Sequence, residues 1–175
     1  MNPIIKYFAE QQIKKLSKAP RNKQFIKLAD AKNIGIVFEA TDSNTFESAK
    51  KFIQKLKEYS KNIHAIGYVD EKLTPNYSYI KTDIDLFNKK ELQSFYRPQS
   101  AYVKTFMEDE KDLLIDLNIT QKTPLRYIAA ASKAKCKVAM HLPDNEAMHD
   151  LLIAVTPQQG LEFYMQQTIR YLEAV

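Results

Sequence analysis

At 175 residues, with 45% hydrophobic and 27% charged side chains, the chain has the size and composition of one globular domain, below the roughly 250 to 300 residues at which a single core divides. Its net charge of +5 is uneven: residues 1–32 carry eight Lys and Arg against Glu10 and Asp30, a net +6, while the remainder stands near neutral at −1. Apolar runs fall well short of the roughly 20 residues of a membrane span, Lys6, Glu10, Lys14 and Lys15 interrupt any secretory leader, and the lone Cys136 excludes an internal disulfide, so a cytoplasmic protein is expected.

The spacing of Ile4, Ile5, Phe8, Ile13 and Leu16 predicts an amphipathic helix over 3–18, with Pro3 in its first turn. Ala19, Pro20, Arg21 and Asn22 end it, and a linker to residue 32 is expected. Residues 34–40 are apolar at nearly every position, the pattern of a central strand covered on both faces, where Gly35 admits a closely packed helix. Asn44 and Glu47 predict a capped helix over 45–61, and 63–69 a second strand, parallel to the first through a helical crossover.

The middle of the chain is harder to read. A loop at 70–75, a strand at 77–82 and short helices at 89–95 and 101–109 are expected; the short join before 77 predicts that this strand runs antiparallel. A strand at 112–117 leads through a loop to Thr123, placed as the N-cap of a helix running to about 135 with Pro124 at its first position. Strands at 137–142 and 150–155 follow. Their join is again too short for a helical crossover, so an antiparallel pair is expected. Leu161, Met165, Thr168, Ile169 and Leu172 predict a closing helix, whose off-stripe Phe163 and Tyr171 suggest a homo-oligomer contact. The expected architecture is α/β: a three-layer sandwich over residues 33–175 with a mixed, mostly parallel sheet, preceded by a basic N-terminal helical arm at 1–32.

Three glycines, at 35, 67 and 160, supply no Gly-x-Gly-x-x-Gly fingerprint, phosphate loop or nucleophile elbow, and no cofactor is expected. Candidate ligand-binding groups lie beyond strand ends: Glu39, Thr41, Asp42 and Asn44 after the first strand, and Asp116, Asn118, Thr120 and Thr123 after the strand at 112–117. Asp42 and Asp116 are the catalytic candidates, a pair suited to acid–base work if they share a cleft; short polar residues also belong at such turns and caps for purely local reasons. His141, Asp144, Glu146 and His149 are metal-capable side chains around one turn, with a spacing that matches no established ligand motif. Lys14, Lys15, Lys18, Arg21 and Lys23 make the arm a candidate surface for a polyanionic partner: RNA, an acidic protein or an anionic lipid surface.

Residues 34–42, 112–118, 124–134 and 150–172 together resemble a small bacterial family of conserved proteins of unknown function. The resemblance covers nearly the whole chain and implies an α/β fold, with no activity to carry over. The functional expectation is a non-enzymatic binding or accessory module acting through the arm. The alternative is a small transferase or hydrolase working on a phosphorylated small molecule at a strand-end carboxylate cleft.

Overall fold

The computed structural model describes residues 3–59, 61–72, 75 and 83–174. The strands are β1 (Asn33–Glu39), β2 (Asn62–Val69), β3 (Ile84–Asn88), β4 (Leu113–Asp116), β5 (Cys136–Met140) and β6 (Leu151–Ile153). The helices are α1 (Pro3–Ser17), α2 (Ser43–Lys57), α3 (Ala101–Glu108), α4 (Thr123–Ala131) and α5 (Gly160–Ala174). One sheet of order β3-β2-β1-β4-β5-β6 contains all six strands, and every pairing is parallel.

Alternation along the strands divides the core. Ile34, Ile36 and Phe38 of β1 point to the layer where α2 (Phe46, Ala49, Ile53, Leu56) and α5 (Tyr164, Met165, Ile169, Leu172) pack. Val37 points to the opposite layer, with Val103 and Phe106 of α3 and Leu125, Ile128 and Ala129 of α4. Burial on both faces is what makes β1, β4 and β5 nearly continuous apolar runs. Gly35 is needed for close approach: a Cβ there would lie 2.5 Å from Lys111 Cδ and 3.0 Å from the Phe106 ring.

Among the described residues the sheet is parallel throughout, where a mixed, mostly parallel sheet was expected. The pair expected to be an antiparallel hairpin, β5 and β6, is parallel with Val138 opposite Leu151. That register removes the length objection. The returning chain must move back only from the level of Met140 to that of Val138, about 7 Å at strand rise, and residues 141–150 do so as a wound turn held by Asn145 and His149 N–H bonds to Leu142 and Asn145 carbonyls. The strand expected at 77–82 lies outside the described residues. The partner of β2 among the described residues is β3 at Ile84–Asn88, a parallel edge strand where no element was expected. The helix expected at 89–95 is two 3₁₀ turns, Lys89–Glu91 and Ser94–Tyr96.

The N-terminal segment is not a free arm. α1 lies outside α4, with Ile13 against Tyr127, Ala130 and Met148 and Glu10 paired with Arg126. The supposed linker is threaded into the body: Ile26, Leu28 and Ala31 are buried in the α2/α5 layer. Its backbone is tied as well, through Gln24 N–H to Lys135 O at 3.1 Å and Leu28 N–H to Leu172 O at 2.9 Å.

Candidate functional site

Strand order reverses between β1 and β4, so the carboxyl ends of these strands form the crevice where open α/β sheets receive ligands. Parallel register sets Asp116 beside Val37 and carries Glu39 and the 117–123 loop to one edge. Three expected residues, Glu39, Asn118 and Thr120, meet there through direct or bridged contacts. Thr120 Oγ1 donates to Glu39 at 2.6 Å, Asn118 Oδ1 accepts the Lys122 N–H at 2.8 Å, and Thr123 begins α4 just beyond. Lys122, which no motif singled out, joins the cluster at its centre. Its ammonium lies 3.3 Å from Glu39 and 2.8 Å from Asp70, and Lys89, in the 3₁₀ turn just after β3, approaches Asp70 at 3.1 Å. The bond to Asp70 raises the Lys122 pKa although burial opposes it. Burial likewise acts to raise the Asp70 carboxyl, but Lys122, Lys89 and the Tyr68 hydroxyl together hold it below its ordinary value.

The other strand-end candidates serve local structure. Asp42, rather than Asn44, caps α2, accepting the Thr45 N–H at 2.8 Å and the Thr45 hydroxyl at 2.7 Å, and these bonds lower its pKa. Asn44 sits exposed in the first turn of α2. Thr41 Oγ1 accepts the Asp70 N–H at 2.9 Å. Thr123 is the first residue of α4 rather than its cap; Lys122 holds the cap position without a side-chain bond, because Asn118 secures the helix entry by also donating to Lys122 O at 3.1 Å. Gln121 turns that loop at a φ of 57°.

Asp116 faces inward and is 4% exposed. Its Oδ1 accepts the Asn118 N–H at 2.9 Å, and its Oδ2 lies 3.0 Å from His149 Nε2. His149 Nδ1 lies 3.1 Å from the Asn145 carbonyl, which can only accept, so Nδ1 carries a proton. Nε2 faces the Asp116 carboxylate across the 3.0 Å contact. The Tyr164 hydroxyl donates to the Asp116 backbone carbonyl at 2.9 Å. Asp42 and Asp116 are therefore each engaged with protein partners. The four metal-capable residues of the 141–149 turn also part ways: His141 meets Glu146 at 3.1 Å, Asp144 lies 3.7 Å from Arg126, and His149 turns in to Asp116. Among the described residues no group of three or more His, Cys, Asp and Glu is placed to hold a metal.

Two buried lysines were invisible as such in the sequence. Lys137, 2% exposed, donates to Ala129 O at 2.7 Å and Ala130 O at 3.1 Å, at the C-terminal end of α4. Burial, with Arg21 and Lys23 nearby, pushes its pKa down to about 7. Lys111 donates to Phe106 O at 2.6 Å at the end of α3, and burial brings it to about 8. Both ammoniums meet the negative end of a helix dipole. Lys111 also borders a cavity of about 340 Å³ with Asn33, Asn62 and His64, at the amino ends of the strands and away from the crevice.

Of the basic residues expected to meet a polyanion, two are engaged within the fold. Arg21 is paired with Asp150 and donates to Ala134 O and Lys135 O at 3.0 and 2.9 Å, and Lys23 lies 3.6 Å from Asp150. Lys14, Lys15 and Lys18 are exposed and enter no ion pair among the described residues. On the same side of α1, Ile4 is 64%, Tyr7 60% and Phe8 47% exposed. Phe8 contacts Phe95 with ring centroids 5.4 Å apart. Phe95 and Tyr96, between the bridged residues Leu92 and Pro98, have φ of 63° and 61°, a left-handed backbone that costs an L-residue about 1–2 kcal/mol. Phe163 and Tyr171 are exposed on α5, and no helix among the described residues is long and apolar enough to cross a membrane.

The chain belongs to a family of unknown function (DUF6913), whose model matches residues 5–175. No curated protein and no solved structure matches it.

Proposed function

We propose that this protein is a non-enzymatic, cytoplasmic binding or accessory module that meets an anionic partner through the outward side of α1. The observation that carries the reading is the set of exposed ammoniums of Lys14, Lys15 and Lys18, in no ion pair among the described residues and in line with exposed Ile4, Tyr7 and Phe8. Cations and apolar groups left in water together on one helix mark a surface that gains from being covered. The charged crevice residues Glu39, Asp70, Lys89 and Lys122, by contrast, pair with one another.

The test compares the full chain with a K14E/K15E/K18E variant for binding to polyuridylate RNA, polyglutamate and phosphatidylglycerol vesicles. Binding of the unmodified chain to at least one probe, weakened by salt and lost in the variant, is expected. Equal, negligible binding by both proteins to all three overturns the proposal. Charge reversal leaves the core intact, whereas removing residues 1–32 strips it of Ile26 and Leu28.

A second reading, a small transferase or hydrolase acting on a phosphorylated small molecule, draws on the strand order, which supports a Rossmann-like body, and on Lys122 and Lys89 at the crevice. Against it stand the capping role of Asp42 and the burial of Asp116 against His149, which leave this carboxylate pair with no acid–base role toward solvent.

A further inference from the structure

The apolar and cationic halves of α1 lie along one line. At 100° per residue, Ile4, Tyr7, Phe8, Gln11, Lys14 and Lys15 fall on the side opposite Ala9 and Ile13, which are buried, and Lys18 continues the line just past the helix end. Residues 3–8 are exposed all round, so the first turn and a half stands clear of α4. Around that tip Ile4, Ile5, Tyr7 and Phe8 spread over about 160° of the circumference.

We infer that this tip and the lysines behind it dock on an anionic lipid bilayer, an inference that rests on α1 being the binding surface. Ile4, Ile5, Tyr7 and Phe8 enter the boundary between headgroups and acyl chains, and Lys14, Lys15 and Lys18 rest against lipid phosphates. The chemistry separates this partner from the others. Exposed isoleucines have neither a base to stack on nor a hydrogen bond to offer, which disfavours nucleic acid. Apolar side chains over about 160° of an exposed helix tip, with lysines behind them, form the kind of face that a headgroup boundary receives. Lysines one to three turns behind the tip match the depth order of a bilayer, apolar inside and phosphate outside. The Phe8–Phe95 contact braces the tip against the body.

The experiment is co-sedimentation of the full chain with vesicles of phosphatidylcholine alone or mixed with phosphatidylglycerol, together with a Tyr7→Trp variant in vesicles carrying brominated acyl chains. Binding to the anionic vesicles only is expected, weakened roughly 100-fold in K14E/K15E/K18E at the strength of three juxtamembrane lysines. An I4S/F8S variant is expected to lose binding too, with circular dichroism showing both variants folded. The new indole of Tyr7→Trp should be quenched by the bromines. Retained binding to polyuridylate or polyglutamate with no vesicle binding overturns the lipid assignment and leaves the binding-module reading standing; loss of all three overturns both. Vesicle binding with an unquenched indole overturns insertion of the tip.

Discussion

Replacing Lys137 with methionine keeps an unbranched chain of similar length in the space under α4 and removes the buried ammonium. In the folded chain that ammonium has a pKa of about 7, against an ordinary value of 10.5. Between those two pH values the unfolded chain still holds the proton and the native state has released it, so the unfolded state binds more protons and stability rises with pH. The lysine's contribution is greatest above its unfolded pKa, falls as pH drops toward 7, and is flat below. The full span is about 4–5 kcal/mol at 1.36 kcal/mol per pH unit. Urea unfolding of the unmodified chain and of Lys137→Met across this range measures it, because every other titrating group is common to both proteins and cancels in the difference. Stability of the unmodified chain relative to the variant should climb from neutral to alkaline pH. Curves that stay parallel would refute the reasoning, showing that the Ala129 and Ala130 carbonyls at 2.7 and 3.1 Å hold the ammonium in the fold as firmly as water does.

Gly35→Ala puts a methyl 2.5 Å from Lys111 Cδ and should destabilise by about 1–3 kcal/mol, read in the urea midpoint. Asp116→Ala leaves the buried His149 Nε2 without its partner; a loss of about 3–5 kcal/mol is expected, with a double-mutant cycle against His149→Ala showing strong coupling. Leu28→Ala, in a segment that reads as a linker, should cost about 2–5 kcal/mol in the same unfolding assay, since its side chain is fully buried; a change within about 0.5 kcal/mol would return residues 20–32 to the status of a loose tether.

Elements whose pattern is complete within a few turns were legible from their residues. β1, α2 and α5 follow from an apolar run or a helical stripe that no distant neighbour has to supply, and the strand-end position of Glu39, Asn118 and Thr120 follows from their place just after such runs. β3 was missed because Ile84–Asn88 mixes Asp85 with apolar residues, the composition of a half-covered edge strand, which a charged loop also has. The direction of β6 was misread because connection length was judged without the register that shortens the path.

Composition and local periodicity by themselves determined the α/β class, the central strand and an N-terminal segment rich in cations. They could not determine which charges remain available, because pairing joins residues far apart in the chain: Arg21 with Asp150, Arg126 with Glu10. Folding neutralises these groups in pairs, since a charge taken out of water must find a partner. Lys14, Lys15 and Lys18 stay outside and keep theirs exposed. The sum of charge was thus written in the residues, and its distribution between core, crevice and surface was decided by the tertiary structure.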